Sequence, residues 1–253
     1  MVAMIELDAL GMNYHEGTLT ALHPTSIAFN RGEFTVLLGA SGAGKTTLLR
    51  CINLLNTPSS GEVTLGGAAI KDSTALRVHR RNTAMIFQQH QLIERQSALR
   101  NVLAGRLGYY SPWRSLLPMS QVDRQFALRC LDRVGLLPKA LERVSCLSGG
   151  QQQRVGIARA LAQRPQIILA DEPVASLDPS SAHQILSLLQ TICAEDGITA
   201  IVSLHQVELA KAYGQRIVGL AQGRVIFDGA VSELTDDTLR AIYPSRRDAH
   251  EDF

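Results

Sequence analysis

The stretch Gly39-Ala40-Ser41-Gly42-Ala43-Gly44-Lys45-Thr46 constrains this chain more than any other. It fits the pattern G-x-x-x-x-G-K-[ST], a loop whose backbone N–H groups wrap phosphates. It follows Phe34-Thr35-Val36-Leu37-Leu38, an apolar run of buried-strand type, and precedes Thr46-Thr47-Leu48-Leu49-Arg50-Cys51-Ile52, which reads as a helix. Strand, glycine-rich turn and helix are the context the pattern needs, and they predict an α/β fold. In that setting Lys45 neutralises the β- and γ-phosphate charges and the Thr46 hydroxyl ligates Mg²⁺.

A second phosphate device lies far downstream, at Leu147-Ser148-Gly149-Gly150-Gln151. Ser148 and Gln151 have capping-box spacing, so Ser148 caps a helix that begins here. The glycines let a ligand approach the backbone, and the helix start presents N–H groups to an anion. Two cradles for one nucleotide need an explanation.

Further chemistry sits at strand ends. Ile167-Ile168-Leu169-Ala170-Asp171-Glu172 is an apolar strand closing on paired acids. Such a strand delivers both carboxylates to the edge where α/β folds bind ligands. Asp171 is placed to hold Mg²⁺ and Glu172 to polarise an attacking water. Gln88 follows the strand Thr83 to Phe87, where its amide oxygen can reach Mg²⁺ or the lytic water. His205 follows Ile201-Val202-Ser203-Leu204 and can contact a γ-phosphate. Tyr14 can stack on adenine. Taken alone, Gln88 reads as an ordinary surface residue, His205 as a structural one and Tyr14 as packing, so these assignments lean on the other motifs.

The 253 residues read as one globular unit, and an apolar fraction of 45% suffices for a full core. A net charge of +2 gives no electrostatic argument for nucleic acid or anionic lipid. Cys51, Cys130, Cys146 and Cys193 form no CxxC pair and no metal-ligand spacing, so they read as reduced thiols in or near the core. No signal peptide and no apolar run of about 18 residues is present, so any membrane connection runs through a partner.

Met4 to Ala9 alternates apolar and polar residues as an amphipathic strand does, and Glu62 to Leu65 is a further strand candidate. The character changes at Gln89: Val122, Phe126, Leu131 and Val134 recur near helical spacing, which predicts a helical insertion to Arg164. Strands then return at Ile167–Ala170 and Thr199–Val202, alternating with helices near 179–194 and 206–213. That is the βαβ grammar of a parallel sheet. Asp178-Pro179 reads as an N-cap followed by Pro at the first helical position.

With these motifs in hand, the chain resembles the ATP-binding subunit of ATP-binding-cassette transporters. The resemblance covers essentially the whole chain, with every motif in family order. Gly39, Ala40, Ser41, Gly42, Ala43, Gly44, Lys45, Thr46 and Thr47 match the Walker A loop that binds ATP, with Tyr14 as the adenine-stacking aromatic. Gln88 matches the Q-loop and Asp171-Glu172 the Walker B end. Ser148, Gly149, Gly150 and Gln151 match the signature, Asp178 the D-loop and His205 the switch histidine. The resemblance implies a P-loop NTPase fold with a mixed or parallel core sheet, an N-terminal antiparallel β subdomain and an inserted helical subdomain. The core then takes 1–88 and 165–245, the helical subdomain 89–164 and a charged tail 246–253. It implies catalysis by Glu172, His205 and Gln88, and Mg²⁺ held by Thr46, Gln88 and Asp171. It also explains the two cradles: two copies pack head to tail, and each ATP lies between one copy's loop and the other's signature.

A finer similarity, to phosphonate-importer cassettes, rests on Phe87-Gln88-Gln89, on the stretch from Asn101 to Arg114 and on the signature and Walker B neighbourhoods. The insert at Pro112-Trp113-Arg114 discriminates most. The implied partners are a second copy, an integral membrane permease and, indirectly, an extracytoplasmic substrate-binding protein, at the cytoplasmic face of the membrane. Another importer or an exporter of the same family shares this chemistry. A non-transport cassette, acting on nucleic acid, usually carries a coiled coil or a second cassette. A GTPase would need Asn-Lys-x-Asp, which is missing.

Overall fold

The computed structural model describes residues 3–14, 19–88, 91–111, 113 and 117–243. Gln89, Pro112, Arg114 and the expected tail over 246–253 lie outside the described residues. The chain divides into two compact units, 1–72 with 199–253, and 73–198.

The first unit opens with β1 (Ala3–Tyr14), paired antiparallel with β2 (Leu19–Asn30). Ile5 and Leu7 point inward and Glu6 and Asp8 outward, as the alternation predicts. The register then shifts beyond Leu7, with Ala9 at φ 46, so Ala9 is exposed and Leu10 resumes the core. A bulge adds one residue and resets which side chains face in. β3 (Phe34–Leu38) is buried at every position and leads through the glycine-rich loop into α1 (Lys45–Ile52). β4 (Ser60–Leu65) pairs antiparallel with β1, and the short β5 (Ala68–Ala69) with β4. The resulting sheet, ordered β2-β1-β4-β5, is the antiparallel N-terminal sheet that the resemblance implied.

The second unit holds α2 (Ser73–Asn82), β6 (Thr83–Ile86), α3 (Ala98–Ala104), α4 (Gln121–Arg133), α5 (Gly149–Ala162), β7 (Ile167–Asp171) and α6 (Pro179–Asp196). β6 and β7 run parallel, from Thr83 opposite Ile167 to Ile86 opposite Ala170. α3, α4 and α5 pack on one another. α2 was not legible as a helix because it carries no apolar stripe: His79 is its only buried residue.

Of the apolar residues at helical spacing, Leu131 and Val134 are buried but Val122 is not. Val122 is 69% exposed, and the inward face is Asp123, Ala127, Cys130 and Leu131. Polar bonds set the rotation of the helix. Ser120 caps it by accepting from the Asp123 N–H, and the Ser120 hydroxyl donates to the Asp123 carboxylate at 2.6 Å. Arg106 Nε donates to the same carboxylate at 2.8 Å, as does the Tyr110 hydroxyl.

The first unit resumes with β8 (Thr199–Leu204), α7 (Val207–Tyr213), β9 (Arg216–Ala221), β10 (Arg224–Ala230) and α8 (Asp236–Ile242). β3 pairs in parallel with β8 and β9, and β10 closes the edge antiparallel to β9. This unit's core sheet is therefore mixed. Three of the thiols are buried and Cys146 is exposed, which corrects the expectation for that one. Burial pushes the Cys51 and Cys130 thiols up to about 11 and Cys193 to about 12.

Candidate functional site

In the first unit, Gly39 to Thr46 join the buried end of β3 to α1. Gly44, at φ 104, is the residue before the helix, a conformation that any side chain would strain. Gly39 is fixed by space instead: a Cβ there would lie 2.4 Å from the Leu220 carbonyl oxygen. The turn between β9 and β10 pins the loop. Gly223 N–H donates to the Ala43 carbonyl at 3.0 Å, and its own carbonyl accepts from His23 at 2.8 Å.

Lys45 is only 4% exposed, and its Nζ donates to the carbonyls of Gly39 at 2.8 Å and Ala40 at 3.0 Å. The ammonium folds back on the loop's own entry, where an arriving phosphate competes with those carbonyls for it. Thr46 and Thr47 follow in the first turn, half-buried. Tyr14 ends β1, and its hydroxyl accepts from Asn56 Nδ2 at 2.7 Å. His205 follows β8 and is exposed, with its carbonyl accepting from the Tyr243 hydroxyl at 2.8 Å.

In the second unit, β7 is buried throughout and ends at Asp171, itself buried. Glu172 follows at φ 45. A glutamate in the left-handed region costs on the order of 1 kcal/mol, strain of the kind that collects at functional sites. Asp178 caps α6 by accepting from Ser181 N–H at 3.0 Å, with Pro179 in the first turn as predicted. A hydrogen bond from the Ser181 side chain, followed by that backbone bond, holds the Asp178 carboxyl below the usual carboxylate range. Gln88 lies two residues beyond β6 and is exposed.

Ser148 and Gln151 form the predicted capping box at the start of α5. Gln151 N–H donates to Ser148 Oγ at 3.4 Å, and Ser148 N–H to Gln151 Oε1 at 3.1 Å. Ser148 and Gly149 are exposed. Neither glycine has a positive φ, and a Cβ would come no closer than 3.5 Å to Leu177 at Gly149 or 3.9 Å to Ser181 at Gly150. Among the described residues nothing therefore demands glycine at either place. Ser148, Gly150 and Gln151 border a cavity of about 330 Å³, together with Ser181, Gln184 and Arg154. Arg154 is held there by Val134 O at 3.2 Å and Gln184 Oε1 at 3.3 Å.

Tyr14, the loop from Gly39 to Thr47 and His205 thus belong to the first unit. Gln88, the Ser148–Gln151 helix start, Asp171, Glu172 and Asp178 belong to the second. The proposed metal donors, a threonine hydroxyl, a glutamine amide oxygen and a carboxylate, are hard oxygens that suit Mg²⁺.

The family profile described as ABC transporter matches residues 22–175, more than half of the chain. The chain belongs to the ABC transporter family. It is an ATP-binding cassette, and ATP is its nucleotide. A phosphonates import ATP-binding protein of Nostoc sp. is 58% identical over 250 residues, covering 98% of this cassette and 95% of the relative. The phosphite import ATP-binding protein PxtA of Stutzerimonas stutzeri is 62% identical over 244 residues, covering 96% and 88%. Among solved structures, the ADP conformation of a cassette of an ABC transporter matches with a TM-score of 0.84 at 26% identity, covering 96% of this chain and 99% of that one. A dimeric post-hydrolysis cassette bound to ADP and Pi matches at 0.79 and 36% identity, covering 90% and 99%. Among the described residues no helix of this cassette is long and apolar enough to cross a membrane.

Sequence reasoning missed Gly223 and Leu220, which shape the phosphate loop across about 180 intervening positions. It also missed Arg154, Ser181 and Gln184 beside the signature. No local pattern announces such long-range contacts. Only the four-residue spacing of Gly150 and Arg154, and of Ser181 and Ile185, hinted at shared helix faces.

Proposed function

We propose that this cassette is the ATP-hydrolysing subunit of an importer for phosphonate or a related phosphorus oxyanion such as phosphite or hypophosphite. The names of the relatives at 58% and 62% identity support that cargo class. Two copies pack head to tail, so that Lys45 of one copy and Ser148, Gly149, Gly150 and Gln151 of the other enclose the ATP phosphates. Tyr14 stacks on the adenine. Thr46, Gln88 and Asp171 would hold Mg²⁺, which would shield phosphate charge. Glu172 takes a proton from the attacking water, and His205 contacts the γ-phosphate. Asp178 stands near the junction of the copies. Loss of the γ-phosphate loosens the pair, and the helical segment 89–164 passes the motion to an integral membrane permease. The cassette then sits at the cytoplasmic face of the membrane, and an extracytoplasmic binding protein supplies the cargo.

The observation that carries this reading is the exposed, reciprocally capped start of α5. Its two glycines answer no need of this chain's own packing, so the ligand or partner that requires them comes from outside. The test is ATPase activity of the cassette assembled with its permease in vesicles. Methylphosphonate or phosphite, with the cognate binding protein, is expected to raise turnover. No response to any phosphorus oxyanion contradicts the cargo class.

A further inference from the structure

A second charged cavity lies in the 73–198 unit, away from every motif discussed so far. Its volume is about 440 Å³, within the usual range for small-ligand pockets. α4 supplies Phe126, Arg129 and Cys130, and the segment after α5 supplies Arg164. Cys130 and Leu161 form a buried apolar floor. The guanidinium carbon of Arg164 lies 4.4 Å from the Phe126 ring centroid, and that of Arg129 lies 5.6 Å from it.

The charge here is unbalanced. Arg133 also lines the cavity, but Asp196 and Glu195 neutralise it at 2.5 and 3.0 Å. Among the described residues neither Arg129 nor Arg164 has an acidic partner. Two guanidiniums thus approach one aromatic ring, and the carboxylate that also lines the cavity, Asp196, is engaged by Arg133. Like charges placed together raise each other's energy, and an anion bound between them reverses the sign of that term. Arg164 is also held at φ 51, immediately after the last turn of α5, where glycine is the usual occupant.

We propose that this cavity binds a small organic dianion, a phosphonate or phosphate ester with an apolar or aromatic body. Arg129 and Arg164 pair with the oxyanion, and Phe126, Cys130 and Leu161 receive the apolar part. Paired guanidiniums suit a phosphoryl head, since each offers two parallel N–H donors. The site shares no residue with the ATP cradle and does not depend on what the permease carries. It also has a route to the signature helix. Arg106 lies 5.5 Å from the same Phe126 ring and donates to the Ala162 carbonyl at the end of α5.

Calorimetric titration of the full chain, saturated with ADP and Mg²⁺, uses phenylphosphonate as probe and benzyl alcohol as its uncharged counterpart. Phenylphosphonate is expected to bind one site per chain with a Kd of about 1 mM or tighter, and benzyl alcohol not measurably. Arg129→Gln and Arg164→Gln are each expected to weaken binding roughly tenfold or more. Arg164→Gly fits the backbone at that position, so it guards against misfolding: it should keep or raise the Tm and still lose the probe. Absence of binding, equal binding of benzyl alcohol, or wild-type affinity in all three variants overturns the proposal.

Discussion

Residue by residue, the proposed chemistry rests on two side chains in unusual positions. Glu172 occupies a left-handed backbone conformation directly after a buried strand. Its replacement by Gln keeps the shape and removes the proton acceptor. Single-turnover measurements on Glu172→Gln are expected to show hydrolysis slowed about 10²- to 10⁴-fold, with ATP affinity unchanged. Lys45 is buried and already hydrogen-bonded to the loop it serves. Lys45→Ala removes a charge-assisted contact worth about 1.5–3 kcal/mol, so fluorescent-nucleotide titration should show ATP binding weakened roughly 10- to 150-fold. At this scale the sequence was highly legible where chemistry needs fixed residue types at fixed spacing, as in Gly39–Thr46. It was silent on why Gly39 must be glycine, because the crowding atom belongs to Leu220, far along the chain.

Among the elements, α4 and α5 show how polar contacts override an apolar pattern. Counting hydrophobic spacing put Val122 inside; the bonds of Asp123 to Arg106, Ser120 and Tyr110 turned the helix so that Val122 faces out. Periodicity gave the existence of the helix but not its phase, since one buried carboxylate outweighs one valine. Arg106 reaches further, to the Ala162 carbonyl at 3.0 Å, while the Tyr109 hydroxyl donates to Gln163 O at 2.8 Å. Both hold the far end of the helix whose start carries the signature. Burial pushes the Asp123 carboxyl up, but hydrogen bonds from Ser120, Tyr110 and Arg106 outweigh it and hold it at about 2. A lowered carboxyl stabilises the fold above its unfolded value and loses that contribution as pH falls through the folded one. Urea unfolding should therefore show a loss of roughly 2 kcal/mol between about pH 5 and pH 2, and Asp123→Asn should flatten that slope. Arg106→Ala leaves the buried carboxylate without its cation and is expected to cost about 3–5 kcal/mol in the same assay. The N-caps, by contrast, were readable in advance: the Ser148–Gln151 capping box and the Asp178 N-cap with Pro179 are local signals, and both fold as local signals should.

For the whole molecule, the central claim is that a single chain carries two halves of different sites. In the proposed arrangement the loop at Lys45 holds one nucleotide, and the helix start at Ser148 closes over the nucleotide of a second copy. The motif order made the family legible, whereas no spacing within one chain reveals that its two cradles serve different ATP molecules. The glycines at 149 and 150, which no described neighbour crowds, are what that proposal accounts for. Ser148→Arg places a long cation on this face and leaves the residues of the loop at Lys45 unchanged. The most direct measurement follows ATP binding, nucleotide-dependent dimer formation by light scattering, and hydrolysis together in this variant. ATP binding is expected to stay within about twofold of the parent, while the ATP-dependent dimer disappears and turnover falls at least about 100-fold. A Ser148→Arg chain that dimerises and hydrolyses ATP like the parent would contradict the shared site.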